Sequence, residues 1–110
     1  HVRGRGRGGR NTEFALAALV EMARLREGDS RFLIASLGTD GRDGTGEAAG
    51  AWITGLTAGR AARLGLDPES YLSENDSYTF FRKAGGLIVT GPTRTNVMDI
   101  RLLLAGRPAP

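Results

Sequence analysis

Arg31-Phe-Leu-Ile-Ala-Ser-Leu37, running directly into Gly38-Thr-Asp-Gly-Arg-Asp-Gly-Thr-Gly46, is the stretch on which the fold is read. The first seven residues form a short, nearly continuous apolar run, the pattern of a strand buried on both faces. The glycines that follow exclude regular structure and make a loop at the strand's end. In open α/β sheets that is where ligands gather.

Working back toward the N-terminus, Asn11 is a good N-cap and Glu13 falls in a first helical turn, where the helix dipole favours negative charge. Phe14, Ala18, Met22 and Leu25 form a stripe at helical spacing, and Ala15, Leu16, Leu19, Val20 and Ala23 extend it nearly all round. This predicts a helix buried on more than one side, ending near Arg26 with Gly28 as its stop. Toward the C-terminus, Glu47 to Trp52 is small, helix-compatible and unassigned. Thr57 caps a helix through Leu64, and Asp67-Pro68-Glu69 starts a short one that ends by Ser73. Asn75-Asp76-Ser77 opens another, running from Tyr78 to Ala84. Leu87–Thr90 reads as a buried strand. After the turn from Gly91-Pro92 to Asn96, the apolar run Val97–Ala105 is expected as a strand antiparallel to Leu87–Thr90, with a helix over Met98–Leu104 as the alternative. Trp52 and the Phe80–Phe81 pair are expected in the core. The sum is a single α/β domain over residues 1–110, a mixed β-sheet with flanking helices and glycine-rich loops at strand ends.

Composition narrows the chemistry. There is no cysteine, so thiolate metal sites and cysteine nucleophiles are excluded, and a single histidine, at position 1, argues against a histidine triad or zinc site. The net charge is +3, much of it carried by Arg3, Arg5, Arg7 and Arg10, which makes a local basic patch rather than a basic protein. No apolar run approaches a membrane span and no signal peptide is legible, so the expectation is a soluble, cytoplasmic protein. Val2 resembles the last residue of a strand, and the chain is expected to be part of something longer.

The stretch His1–Asn11 interleaves those arginines with glycines immediately before the helix. Glycine lets a partner approach the main chain, arginine offers forked donors for phosphate or carboxylate, and a helix start points unpaired N–H groups into the loop. An anion site is expected there. Gly4-Arg-Gly6-Arg-Gly-Gly9 satisfies G-x-G-x-x-G, yet the interleaved arginines and the position of Asp40 inside a second glycine loop fit a dinucleotide fold poorly. An RGG-type RNA-binding segment and a plain solvated turn are the other readings. Asp40 and Asp43 lie three residues apart after a strand. They suit Mg²⁺ on a phosphate-bearing substrate or a general base toward a hydroxyl, and equally suit Asx turns. Thr90-Gly-Pro-Thr-Arg-Thr-Asn96 is a third polar loop at a strand end, whereas Asn75-Asp76-Ser77-Tyr78 is explained by capping alone. All three loops are placed to converge on one edge of the sheet.

Gly8-Gly9-Arg10-Asn11 with Glu13, Gly38-Thr39-Asp40-Gly41 with Asp43-Gly44, Ala48-Ala49-Gly50-Ala51, Asn75-Asp76-Ser77-Tyr78 with Phe80-Phe81, and Thr90-Gly91-Pro92-Thr93 with Thr95-Asn96-Val97 together resemble, in order, the MOFRL domain. That is the C-terminal domain of class II glycerate 2-kinases, historically also called hydroxypyruvate reductases. The resemblance implies ATP-dependent, Mg²⁺-assisted phosphorylation of D-glycerate to 2-phosphoglycerate, in a cleft shared with an N-terminal domain that this chain lacks. It implies Arg10 as the clamp on phosphate or carboxylate, with the main chain of Gly8 and Gly9 and the neighbouring Asn11. Asp40 and Asp43 would organise Mg²⁺ or the substrate hydroxyl, and Thr93, Thr95 and Asn96 would bind substrate or phosphate. Thr12 stands where glutamine is more usual, and Arg94 where a small residue often stands. The isolated chain is expected to lack kinase activity, with its first helix covered in the whole protein. NAD(P)H-dependent hydroxypyruvate reduction and a nucleic-acid-binding module are the alternatives.

Overall fold

The computed structural model describes residues 6–25, 31–43, 48–93 and 98–106. Its elements run α1 (Arg10–Arg24), β1 (Arg31–Gly38), β2 (Gly50–Thr54), α2 (Thr57–Arg63), α3 (Pro68–Ser73), α4 (Ser77–Ala84), β3 (Leu87–Ile88) and β4 (Asp99–Gly106). The α/β class with flanking helices holds, and within the four-stranded sheet, ordered β3-β2-β1-β4, every pair is antiparallel. β1 is one of the two inner strands, but it is not buried on both faces as its apolar run suggests, since Leu33 and Leu37 are half-buried.

Two parts of the topology differ from the expectation. β4 is a strand, but its partner is β1 along its whole length, from Arg31 opposite Gly106 to Gly38 opposite Asp99. Leu87–Thr90 contributes only the two residues of β3, which pair with the opposite side of the sheet through β2. The stretch Glu47 to Trp52, helix-compatible and unassigned in sequence, gives no helix among its described residues; β2 begins there at Gly50. Ala49 and Ala51 are small because they are fully buried, and Gly50 lies so close to β1 that an added Cβ would stand 1.8 Å from the Ser36 carbonyl oxygen.

Side chains alternate across the strands. Phe32, Ile34, Ala51 and Ile53 face the helices, where Leu16, Leu19, Phe80 and Phe81 complete the core. Phe81 meets Phe80 edge-to-face at 5.1 Å, and Tyr71 meets Phe80 at 5.7 Å. Helix α1 buries one stripe, Ala15, Leu16, Leu19 and Val20, rather than its whole circumference. The expected stripe of Phe14, Ala18, Met22 and Leu25 lies on its flank: Leu25 is exposed, and the Phe14 ring is covered by the Arg101 guanidinium at 4.1 Å. The opposite face of the sheet has no helix over it among the described residues. Trp52 opposes Ala35 there and is 36% exposed, so it is not a core residue. Ile100, Leu102 and Leu104 of β4 share that face and are exposed.

Candidate active site at the start of the first helix

The three loops do meet at one end of the sheet, held together by hydrogen bonds rather than by apolar contact. The glycine loop before α1 docks on the turn between α3 and α4. Gly6 N–H donates to the Glu74 carbonyl at 2.8 Å, Arg7 N–H to Asp76 Oδ1 at 2.8 Å, and Tyr78 N–H to the Arg7 carbonyl at 2.8 Å. The Arg7 guanidinium lies 4.7 Å from the Tyr78 ring centre. Gly8 is required by this contact, since a Cβ there would stand 2.2 Å from Ser77 Oγ. Asn75-Asp76-Ser77-Tyr78, read from sequence as capping alone, is therefore the clamp on the loop, and the Asp76 side chain makes no capping bond to α4. Asn75 reaches Glu13 Oε1 at 2.6 Å, and Ser77 Oγ donates to Thr12 Oγ1 at 2.8 Å.

The helix start itself carries an anion from within the chain. Asp43, 4% exposed, accepts from Asn11 N–H at 2.8 Å and from Thr12 N–H at 2.7 Å, one bond to each carboxylate oxygen. These are two of the donors that a helix leaves unpaired at its N-terminus, placed where its dipole favours a negative charge. These two bonds give Asp43 a structural part at the helix start, beside the Mg²⁺ or substrate role expected of it. The cap is Gly9 rather than Asn11. Gly9 N–H donates to Thr12 Oγ1 at 3.0 Å, and the Gly9 carbonyl accepts from Glu13 N–H at 2.9 Å, so this part of the main chain serves the helix and not a ligand.

Asn11 is 1% exposed. Its amide is used at both ends: Ser36 Oγ donates to Oδ1 at 2.6 Å, and Nδ2 donates to Asp99 Oδ1 at 3.0 Å. Asn11 therefore orders the site from beneath. Asp99 in turn accepts from Arg10 Nε at 2.5 Å. The Arg10 side chain remains 63% exposed and that of Asp99 26%. The hydrogen bonds from Arg10 and Asn11 hold the Asp99 carboxyl below its ordinary range, and the same ion pair raises the already high pKa of Arg10. Asp99 carries no motif of its own. Its signal in the sequence is a lone carboxylate opening an apolar strand directly after the third polar loop.

The second and third loops interlock around Asp40 and Thr93. Asp40 Oδ1 accepts from Arg42 N–H at 3.1 Å, an Asx turn, and Thr93 N–H donates to the Asp40 carbonyl at 3.4 Å. Thr93 Oγ1 donates to the Thr39 carbonyl, while Thr39 N–H and Met98 carbonyl pair at 2.7 Å. Gly41, at φ +84°, passes against Gly91, where an added Cβ would stand 2.0 Å from the carbonyl oxygen. Thr95, Asn96 and Arg94 lie outside the described residues, as do Arg3 and Arg5 of the opening stretch. Among the described residues no three acidic or histidine side chains gather to form a ready metal site, and no helix is long and apolar enough to cross a membrane.

The architecture and sequence have close counterparts. A crystal structure of glycerate kinase from Thermotoga maritima superimposes with a TM-score of 0.88 at 45% identity, over 96% of this chain and 25% of that one. The D-glycerate 2-kinase of Thermotoga maritima is 47% identical over 100 residues, covering 91% of this chain and 23% of the relative. Human glycerate kinase is 50% identical over 105 residues, 93% of this chain and 20% of the relative. A protein of Agrobacterium vitis named as a hydroxypyruvate reductase is 48% identical over 92% of this chain, so both names occur within one family. The chain thus spans between a fifth and a quarter of the length of the relatives it matches. The MOFRL family model matches residues 1–99, and with the loop architecture above it places this chain in the MOFRL family.

Proposed function

We propose that this chain is the C-terminal part of a glycerate 2-kinase, which transfers a phosphoryl group from ATP to the 2-hydroxyl of D-glycerate, and that it works in the cytoplasm. The observation that carries this reading is the convergence of three polar loops beneath one exposed, carboxylate-anchored guanidinium, Arg10. Phosphoryl transfer asks a protein mainly for positioning and neutralisation of charge. With Asp43 at the helix start, Arg10 is an exposed cation able to face a substrate anion, either the glycerate carboxylate or the transferring phosphate. The Gly8 main chain lies beside it.

ATP would supply the phosphoryl group, and Mg²⁺ would neutralise part of the charge on its phosphates. Mg²⁺ is typically bound through one or two carboxylates together with substrate phosphates, and Asp40, with Asp43 three residues on, fits that description. Asp40 would hold the metal or accept the proton of the 2-hydroxyl, and Thr93 would add a hydroxyl to the same loop. Thr95 and Asn96 are assigned to substrate or phosphate by the family resemblance. Asn11, Asp43 and Asp99 order the residues that touch ligand.

The test is made on a full-length kinase carrying these residues. Incubation with D-glycerate and ATP is expected to yield 2-phosphoglycerate, read by direct coupling to enolase, which does not accept the 3-phosphate. Oxidation of NAD(P)H with hydroxypyruvate in place of kinase turnover would overturn the reading. Arg10→Ala is expected to lower kcat/KM by about 10²–10³, the usual scale for removing one charge-stabilising donor. The 110-residue chain alone is expected to show no turnover, since the larger part of each relative lies outside the matched region.

A further inference from the structure

We infer that Asp99 is a positioning residue for substrate binding: it fixes the Arg10 guanidinium by its Nε–H so that both Nη groups are presented to the substrate anion. The inference rests on Arg10 being the anion clamp. Asp99 is well placed for the task because it is held from two directions, through Met98 and through Asn11. It opens β4 opposite Gly38, and the strand start is pinned on both sides of Met98, by Thr39 N–H to the Met98 carbonyl at 2.7 Å and by Met98 N–H to Thr39 Oγ1 at 3.0 Å. Its Oδ1 rests on Asn11, which is itself held by buried Ser36. The chain Ser36–Asn11–Asp99 thus runs from the buried centre of β1 to an exposed arginine.

Arginine has five N–H donors in a fixed planar fork. Asp99 occupies Nε–H at 2.5 Å, which leaves the four Nη hydrogens for a bidentate contact with carboxylate or phosphate. An arginine side chain without such an anchor carries about 2 kcal/mol of rotamer entropy, part of which substrate binding would have to remove. A carboxylate so close to the clamp also repels a substrate anion, a cost that the gain in positioning must exceed.

In the full-length kinase, Asp99→Asn is expected to raise KM for the anion that Arg10 holds, D-glycerate or ATP, by about tenfold, with kcat within about threefold of wild type. Tenfold corresponds to about 1.4 kcal/mol. In an Arg10→Ala background the same substitution is expected to change KM by less than about twofold, since the group it positions is gone. Asp99→Glu, which keeps the charge but shifts the carboxylate by one methylene, is expected to give an intermediate KM, and it decides the matter if Asp99→Asn does not fold. Wild-type KM values in both Asp99 variants, alongside a large loss in Arg10→Ala, would overturn the inference while leaving the kinase reading intact. An equal KM increase from Asp99→Asn in the presence and absence of Arg10 would also overturn it, as the effect would then not pass through Arg10. Wild-type kinetics in Arg10→Ala would instead remove the clamp assignment, and the inference with it.

Discussion

Asp43→Asn tests whether the anion at the start of α1 is structural. The native carboxylate is 4% exposed and accepts one main-chain N–H on each oxygen, from Asn11 and Thr12. Asparagine keeps one acceptor and turns a donor toward the second N–H, so one bond is lost and a buried donor is left facing another donor. A hydrogen bond to a charged group contributes about 1.5–3 kcal/mol, and a charge at a helix N-terminus adds about 0.3–1 kcal/mol. The expected destabilisation is therefore about 2–4 kcal/mol, above the typical loss from a solvent-exposed cap. Urea unfolding is convenient to follow because Trp52, the single tryptophan, lies in β2 at 36% exposure and reports on the sheet. With a slope of about 1–3 kcal/mol/M, the midpoint should fall by about 1–2 M. A midpoint within a few tenths molar of wild type would refute the capping argument. So would a normal midpoint in this chain accompanied, in the full-length kinase, by a weakened response of turnover to Mg²⁺, which is what a metal ligand would give.

Three further outcomes are expected. Gly41→Ala places a side chain at φ +84° and 2.0 Å from the Gly91 carbonyl; the left-handed conformation alone costs about 1–2 kcal/mol, and the two loops must separate, so KM should rise together with a lower thermal midpoint. The Asp99 carboxyl is held below its ordinary value by Arg10 first and Asn11 second. Between the folded and unfolded values the unfolded chain binds more protons, so this contribution to stability is present above the unfolded value and is lost as pH falls through the folded one. Urea midpoints measured below about pH 4 should therefore fall less steeply for Asp99→Asn than for wild type. Phe81→Ala empties a fully buried position at the centre of the core and should cost about 3–5 kcal/mol of unfolding free energy, while kcat/KM per folded molecule in the full-length kinase stays within about twofold.

By itself the sequence determined the elements whose signals are local. Asp67-Pro68 starts α3, and Asp67 caps it through Glu69 N–H at 3.2 Å, because cap and proline act within one turn. The apolar run of β1 marked an inner strand, and glycines marked all three loops. Only the tertiary structure decided which strand lies beside which, since pairing depends on contacts distant in the chain: β4 joins β1 across an interval of about sixty residues, and nothing in its composition names that partner. The same holds for side-chain roles. Asp43 and Asp40 are equivalent in sequence, each an aspartate next to glycine or close to one, yet one is buried against the helix start and the other lies on a loop. The opening glycine-arginine stretch predicted an anion at α1, and an anion is there, but Asp43 supplies it. What faces outward is the side chain of Arg10, and its partner Asp99 stands 89 residues away, a distance that only folding closes.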